Sequence, residues 1–175
     1  NVDALKQLDA IYTRQNNYAA LLDTKARLAE LTYEADAQKQ LLFQCADLAL
    51  NTLGLNDRGM PFLEKVVEID DTNLDAIDPL LVLYAESGAN QKYVDLLNQK
   101  LLSVTDPAQR HDIYLAIAAT AADKLDDPAT AIDAYRSALD IRKSPEIYAA
   151  LEALYTKHGQ HQELDDLRAR RPPSA

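Results

Sequence analysis

A chain of 175 residues can form one compact domain or one short repeat array; its 47% apolar content, four glycines and absent tryptophan suit packed helices. The formal charge of −10 argues against nucleic acid as a partner, because a phosphate backbone is bound by a basic surface that releases counterions. Cys45 is the only cysteine, which excludes an internal disulfide, and the apolar stretches 80–85 and 113–122 fall short of the roughly 20 residues that would cross a bilayer.

Taken in chain order, apolar periodicity predicts ten helices, at about 3–14, 18–31, 36–54, 59–70, 74–87, 91–104, 107–125, 129–142, 146–158 and 161–170. No segment reads as a strand. The first helix carries Leu5, Leu8 and Ile11 on one face and ends before the turn Asn16-Asn17. The third holds Cys45 among Leu41, Leu42, Leu48 and Ala49, the setting of an inert core thiol. Between the fourth and fifth, Asp71, Asn73 and Asp75 alternate as in a calcium loop. Ala76 and Val82 stand where that loop needs a glycine and a carboxylate, so calcium is not expected. Asp106-Pro107 and Asp127-Pro128 open the seventh and eighth helices, the aspartates as N-caps and the prolines where no amide donor is needed. His111, between Arg110 and Asp112 in a polar first turn, is expected to face solvent. His158 and His161 flank Gly159-Gln160 at a turn and lack a ligand set. The tenth helix ends in Arg168, Arg170 and Arg171, and 172–175 form a tail.

The chain repeats itself. DALKQLDAIY from Asp3 returns as DAIDPLLVLY from Asp75 and as EIYAALEALY from Glu146, with Tyr12, Tyr84 and Tyr155 spaced by 72 and 71 residues. Leu5, Ile77 and Tyr148 share one apolar position, Leu8, Leu80 and Leu151 a second, and Ile11, Leu83 and Leu154 a third. The match continues from ADAQKQLLF to DPAQRHDIY and from MPFLEKVVEI to IDAYRSALDI. One repeat domain over 1–171 is therefore expected, in units of about 3–74, 75–145 and 146–171.

The segment AIDAYRSALDI resembles the tetratricopeptide repeat (TPR) family: Ala131, Tyr135 and Ala138 match its small, aromatic, small pattern. Leu8 with Tyr12, Leu80 with Tyr84 and Leu151 with Tyr155 resemble its other half, although Leu5, Ile77 and Tyr148 occupy its tryptophan position. The resemblance covers nearly the whole chain. It implies an all-α, right-handed α-solenoid of about five antiparallel helical hairpins, a TPR-like superhelix whose concave face is lined by the first helix of each hairpin.

No nucleophile, base or metal cluster accompanies the three histidines, and Gly54, Gly59, Gly88 and Gly159 are too dispersed for a phosphate loop. The expectation is a protein that is not an enzyme and uses no cofactor. By the resemblance, a partner protein or peptide is bound on the concave face, with Lys6, Thr13, Arg14, Gln44, Asp75, Asp78, Glu86 and Lys157 as candidate contacts. The acidic group Asp75, Asp78 and Glu86 suits a basic segment. The alternative is a structural or oligomerising spacer of a longer protein, self-associating through its terminal hairpins. A soluble chain without membrane insertion is expected, of the cytoplasm, or of the periplasm or exterior if a leader was removed ahead of Asn1.

Overall fold

The computed structural model describes residues 1–171, and among them every regular element is helical. The predicted tail, 172–175, lies outside the described residues. The helices are α1 (Val2–Arg14), α2 (Tyr18–Glu30), α3 (Ala35–Asp47), α4 (Asn56–Ile69), α5 (Leu74–Ser87), α6 (Asn90–Ser103), α7 (Pro107–Lys124), α8 (Pro128–Ile141), α9 (Pro145–Lys157) and α10 (His161–Arg170). All ten expected helices are present, with one internal difference. The third continues past Asp47 as a π-helical turn over Leu48–Thr52, where the Leu53 amide reaches back to the Leu48 carbonyl at 3.0 Å.

Local chemistry explains the boundaries. Asn1, Asn17, Glu34, Asn73, Asp106 and Asp127 each accept from an amide of the first turn they precede, so each start has a side-chain cap. Pro107, Pro128 and Pro145 fill the first helical position, where the missing amide proton is not needed.

The repeat is also written in the backbone. Asn16, Gly88 and Gly159 all have positive φ, at 51°, 71° and 67°, and stand 72 and 71 residues apart after α1, α5 and α9. Gly54 at 65° and Asp126 at 50°, again 72 apart, follow the third and seventh helices. Asn and Asp tolerate this left-handed conformation better than other non-glycine residues, which is why they can stand in for Gly. Helix closure repeats as well. Gln38 Nε2 donates to the Ala29 carbonyl at 3.0 Å and, 72 positions on, Arg110 Nη1 donates to the Leu101 carbonyl at 2.7 Å.

Contacts divide the chain into two compact units, Asn1–Gly88 and a second beginning at Ala89. In the first, α1 to α5 pack in sequence, each on the next. Leu21, Leu22, Cys45, Leu48 and Ala49 form a core that Tyr12, Leu53 and Phe62 border. In the second, α6 packs on α7, α7 on α8, α8 on α9 and α9 on α10. Its core joins Ile132 and Ala138 of α8 to Ile147, Tyr148, Leu151 and Tyr155 of α9 and Leu164 and Leu167 of α10. Ala131 and Ala138 have no exposed surface, as the small positions of the TPR pattern require for close helix approach.

Candidate protein-interaction surface

The first helices of the repeat expose one row each. On α5, Asp75, Asp78, Val82 and Glu86 are exposed while Ala76, Ile77, Leu80, Leu81, Leu83 and Tyr84 are buried. At about 100° per residue, offsets of 3, 7 and 11 residues return within about 60° of the starting direction, so the four lie in one stripe. The equivalent positions are exposed in the other copies too: Asp3, Lys6, Ala10 and Arg14 on α1, and Glu146, Ala149, Ala153 and Lys157 on α9.

The α5 stripe stands out chemically. The helix carries three carboxylates in this row and no basic residue, and Val82, 57% exposed, sits between them. Pro79 lacks an amide proton, so the Asp75 carbonyl loses its usual helical donor and adds a main-chain acceptor near the stripe.

The eight candidate contacts divide as follows. Lys6, Arg14, Asp75, Asp78, Glu86 and Lys157 occupy these stripes; Thr13 and Gln44 do not. The Thr13 hydroxyl donates to the Asp9 carbonyl at 2.7 Å, within its own helix. Gln44 Oε1 accepts from Lys25 Nζ at 2.8 Å, and the same ammonium meets Asp9 Oδ1 at 2.8 Å, so Lys25 of α2 ties α1 to α3. Lys157 pairs with Asp126 at 3.6 Å. Seven of the eight belong to the first compact unit and Lys157 to the second. Sequence reasoning missed Val82 as a surface residue. Its register with the acidic residues, and the alanines at its repeat equivalents, were the available signal.

A second feature lies in the second unit. A cleft of about 710 Å³ is walled by α8, α9 and α10, with Tyr148 and Tyr155 among its lining. Arg136, Lys143 and Arg170 face Asp140, Glu163 and Asp166 around it, so its charges balance. Only tertiary placement gathers these six.

Two residues considered for chemistry are core residues. Cys45 is fully buried, and burial pushes its thiol up to about 12. His111 corrects the expectation of a solvent-facing residue: it is only 2% exposed, and Arg142 Nη2 lies 3.2 Å from its Nδ1. A guanidinium can only donate and a carboxylate can only accept, so Arg142 and Asp112 Oδ1, the latter 3.3 Å from the same Nδ1, ask for opposite tautomers, while Nε2 has no partner among the described residues. Seven residues before buried Ala118, His111 extends the inward row of α7, while Asp112 beside it stays exposed with Oδ1 against the ring and Arg110 reaches the Leu101 and Val104 carbonyls. Among the described residues, no three His, Cys, Asp or Glu gather as a metal site, and no helix is long and apolar enough to cross a membrane.

No protein-family model and no curated protein matches the chain. Solved structures of MamA do. A structure of MamA AMB-1 aligns over 99% of this chain and 93% of its own, with 18% identity and a TM-score of 0.53. A MamA mutant aligns over 96% of this chain and 94% of its own, with 18% identity and a TM-score of 0.51. MamA MSR-1 aligns over 97% of both chains, with 19% identity and a TM-score of 0.50. The fold is TPR-like. At these identities the likeness concerns the path of the helices alone; what the exposed stripes do must be argued from their own chemistry.

Proposed function

We propose that residues 1–171, as one repeat domain of units 3–74, 75–145 and 146–171, form a non-enzymatic protein-interaction module that binds a basic segment of a partner protein. The observation that carries this reading is the α5 stripe, where three carboxylates surround an exposed valine. Lysines or arginines flanking one apolar side chain on an extended or helical segment would match it in charge and in shape. Lys6, Arg14 and Lys157, at the equivalent positions of α1 and α9, give the neighbouring copies a different charge and so a different preference. Thr13 and Gln44 belong to the same proposed set as neighbours of these helices.

The test is a titration of the whole chain with two model peptides, one with lysines flanking a leucine and one with glutamates flanking it, followed by NMR shifts on α5. Binding of the lysine peptide alone, weakening with salt and lost in Asp75→Lys/Asp78→Lys/Glu86→Lys, is the expected outcome. Equal binding of both peptides, or binding indifferent to salt and to the reversed charges, would refute it. A second reading, the structural spacer that associates through its terminal hairpins, is favoured by the apolar face that α1 leaves open.

A further inference from the structure

Five aligned positions are less buried in the first copy of the repeat than in the others, three of them exposed to solvent. In α5, Ala76 and Ile77 are fully buried, Leu80 is 1% exposed, Leu83 8% and Tyr84 6%. In α9 the equivalents Ile147, Tyr148, Leu151 and Tyr155 are buried and Leu154 is partly buried. In α1, Ala4 is exposed, Leu8 is 37% exposed, Ile11 45%, and Leu5 and Tyr12 are only half-buried; no residue of α1 is buried. Sequence type is kept, yet burial is lost.

The other copies show what is missing. α5 is packed by α4, the second helix of the preceding hairpin, and α9 by α8 in the same way. Ile132, Tyr135, Ala138 and Leu139 of α8 belong to the cluster that holds Ile147, Leu151 and Leu154. A polar group from the covering helix also meets the repeat tyrosine. The Tyr84 hydroxyl donates to Glu64 of α4 at 2.7 Å, and Arg136, at the matching place in α8, hydrogen-bonds Tyr155. Tyr12 has no such partner among the described residues. The entry to the helix is prepared as well: Asn1 caps α1 as Asn73, 72 positions on, caps α5.

We propose that the face of α1 formed by Ala4, Leu8 and Ile11 is the docking surface for one further repeat hairpin. Its second helix carries a row of small and branched apolar residues, as α4 and α8 do, and a polar side chain that reaches the Tyr12 hydroxyl. A second copy does not supply this helix: its α2, α4, α6 and α8 already pack on the helix that follows each, and the exposed side of its α10 is polar apart from Ala169, with no apolar row to offer. The surface is distinct from the Asp75, Asp78 and Glu86 stripe, so either assignment can fail alone.

The test places residues 35–72 a second time directly ahead of Asn1, reproducing the α4-to-α5 connection, and follows hydrogen exchange along α1. Docking is expected to slow exchange of α1 amides by about tenfold or more relative to the parent chain. Ile11→Asp, at a position already open to solvent, is expected to abolish that protection while leaving the melting of the parent chain nearly unchanged. Unchanged α1 exchange in the extended chain would overturn the proposal, whether circular dichroism shows the added hairpin folded or unfolded, since the same residues fold against α5. Self-association of the parent chain in sedimentation, lost in Ile11→Asp, would also overturn it by making a second copy the occupant.

Discussion

Leu8 and Leu80 occupy the same repeat position in the same compact unit, so truncating each to alanine compares two environments at fixed chemistry. Leu80 is 1% exposed between α5 and its neighbours, and its removal loses the full transfer term and leaves a cavity. Leu→Ala changes at such sites cost about 3–5 kcal/mol. Leu8 is 37% exposed and opens to water, so roughly two-thirds of a transfer term of about 2 kcal/mol is lost and no closed void forms, a cost of about 1 kcal/mol. Urea unfolding followed by circular dichroism measures both, and both report on the transition of the first unit, so a separate transition of the second unit does not confuse them. The difference should be about 2 kcal/mol or more. Equal costs, or a larger cost at Leu8, would refute the claim that the α1 face is uncovered. In the chain extended by a second copy of residues 35–72, the Leu8→Ala cost should rise toward that of Leu80→Ala.

Other substitutions test the remaining structure. The Cys45 thiol should react with a thiol reagent only at the rate of unfolding. Its folded pKa lies above the ordinary value, so the stability this gives is intact below about pH 9 and is lost as pH rises toward 12; a native-state thiol that reacts at the rate of a free cysteine would contradict the burial. Asp127→Ala should cost about 1 kcal/mol through the lost α8 cap. Because the Thr130 hydroxyl and amide hold the Asp127 carboxyl below its usual range, the cost should shrink as pH falls through that range, which acid-side melting checks. Asn16→Gly should stabilise by about 0.5–1 kcal/mol by removing a side chain from a positive-φ position, read as a rise in melting temperature. His111→Leu should be neutral or stabilising, since it removes a buried ring nitrogen without a partner while exposed Arg142 and Asp112 regain water; a loss above about 2 kcal/mol would show that the histidine is satisfied.

Much of this was legible in the chain because the repeat restates its rules. Prolines at 107, 128 and 145 mark three helix starts to within a residue, and the tyrosines at 12, 84 and 155 set the period that the positive-φ residues then obey. The π turn at 48–52 was not legible. In it the Leu50 side chain lies directly over Gly59, where a Cβ would collide with it, a contact between two elements rather than between neighbours in sequence. His111 was misread for a related reason. Its sequence neighbours are charged, but its burial comes from the tertiary fold, in which even the Arg142 guanidinium that meets its ring is 31 positions away. The cleft in the second unit was invisible because its six charges come from α8, the loop after it and α10, each unremarkable alone.

The two proposed surfaces, one on α1 and one on α5, use different sides of the first helix of a repeat unit, and the repeat separates them. The covering row of the first helices keeps its type: Ala4, Leu8 and Ile11 become Ala76, Leu80 and Leu83, then Ile147, Leu151 and Leu154. Wherever a preceding helix packs on that row, burial penalises a polar or charged side chain, so the row stays apolar even where its size changes, as from Ala76 to Ile147. The exposed stripe keeps only its exposure. Asp3, Lys6, Ala10 and Arg14 give way to Asp75, Asp78, Val82 and Glu86, and then to Glu146, Ala149, Ala153 and Lys157. Charge there costs little stability, since surface substitutions usually fall within about 0.5 kcal/mol. A position free of folding constraint can differ between copies without harming the stack, so differences among the stripes are where partner choice can be encoded. The α5 stripe, uniform in sign around one apolar side chain, has the most distinctive pattern of the three.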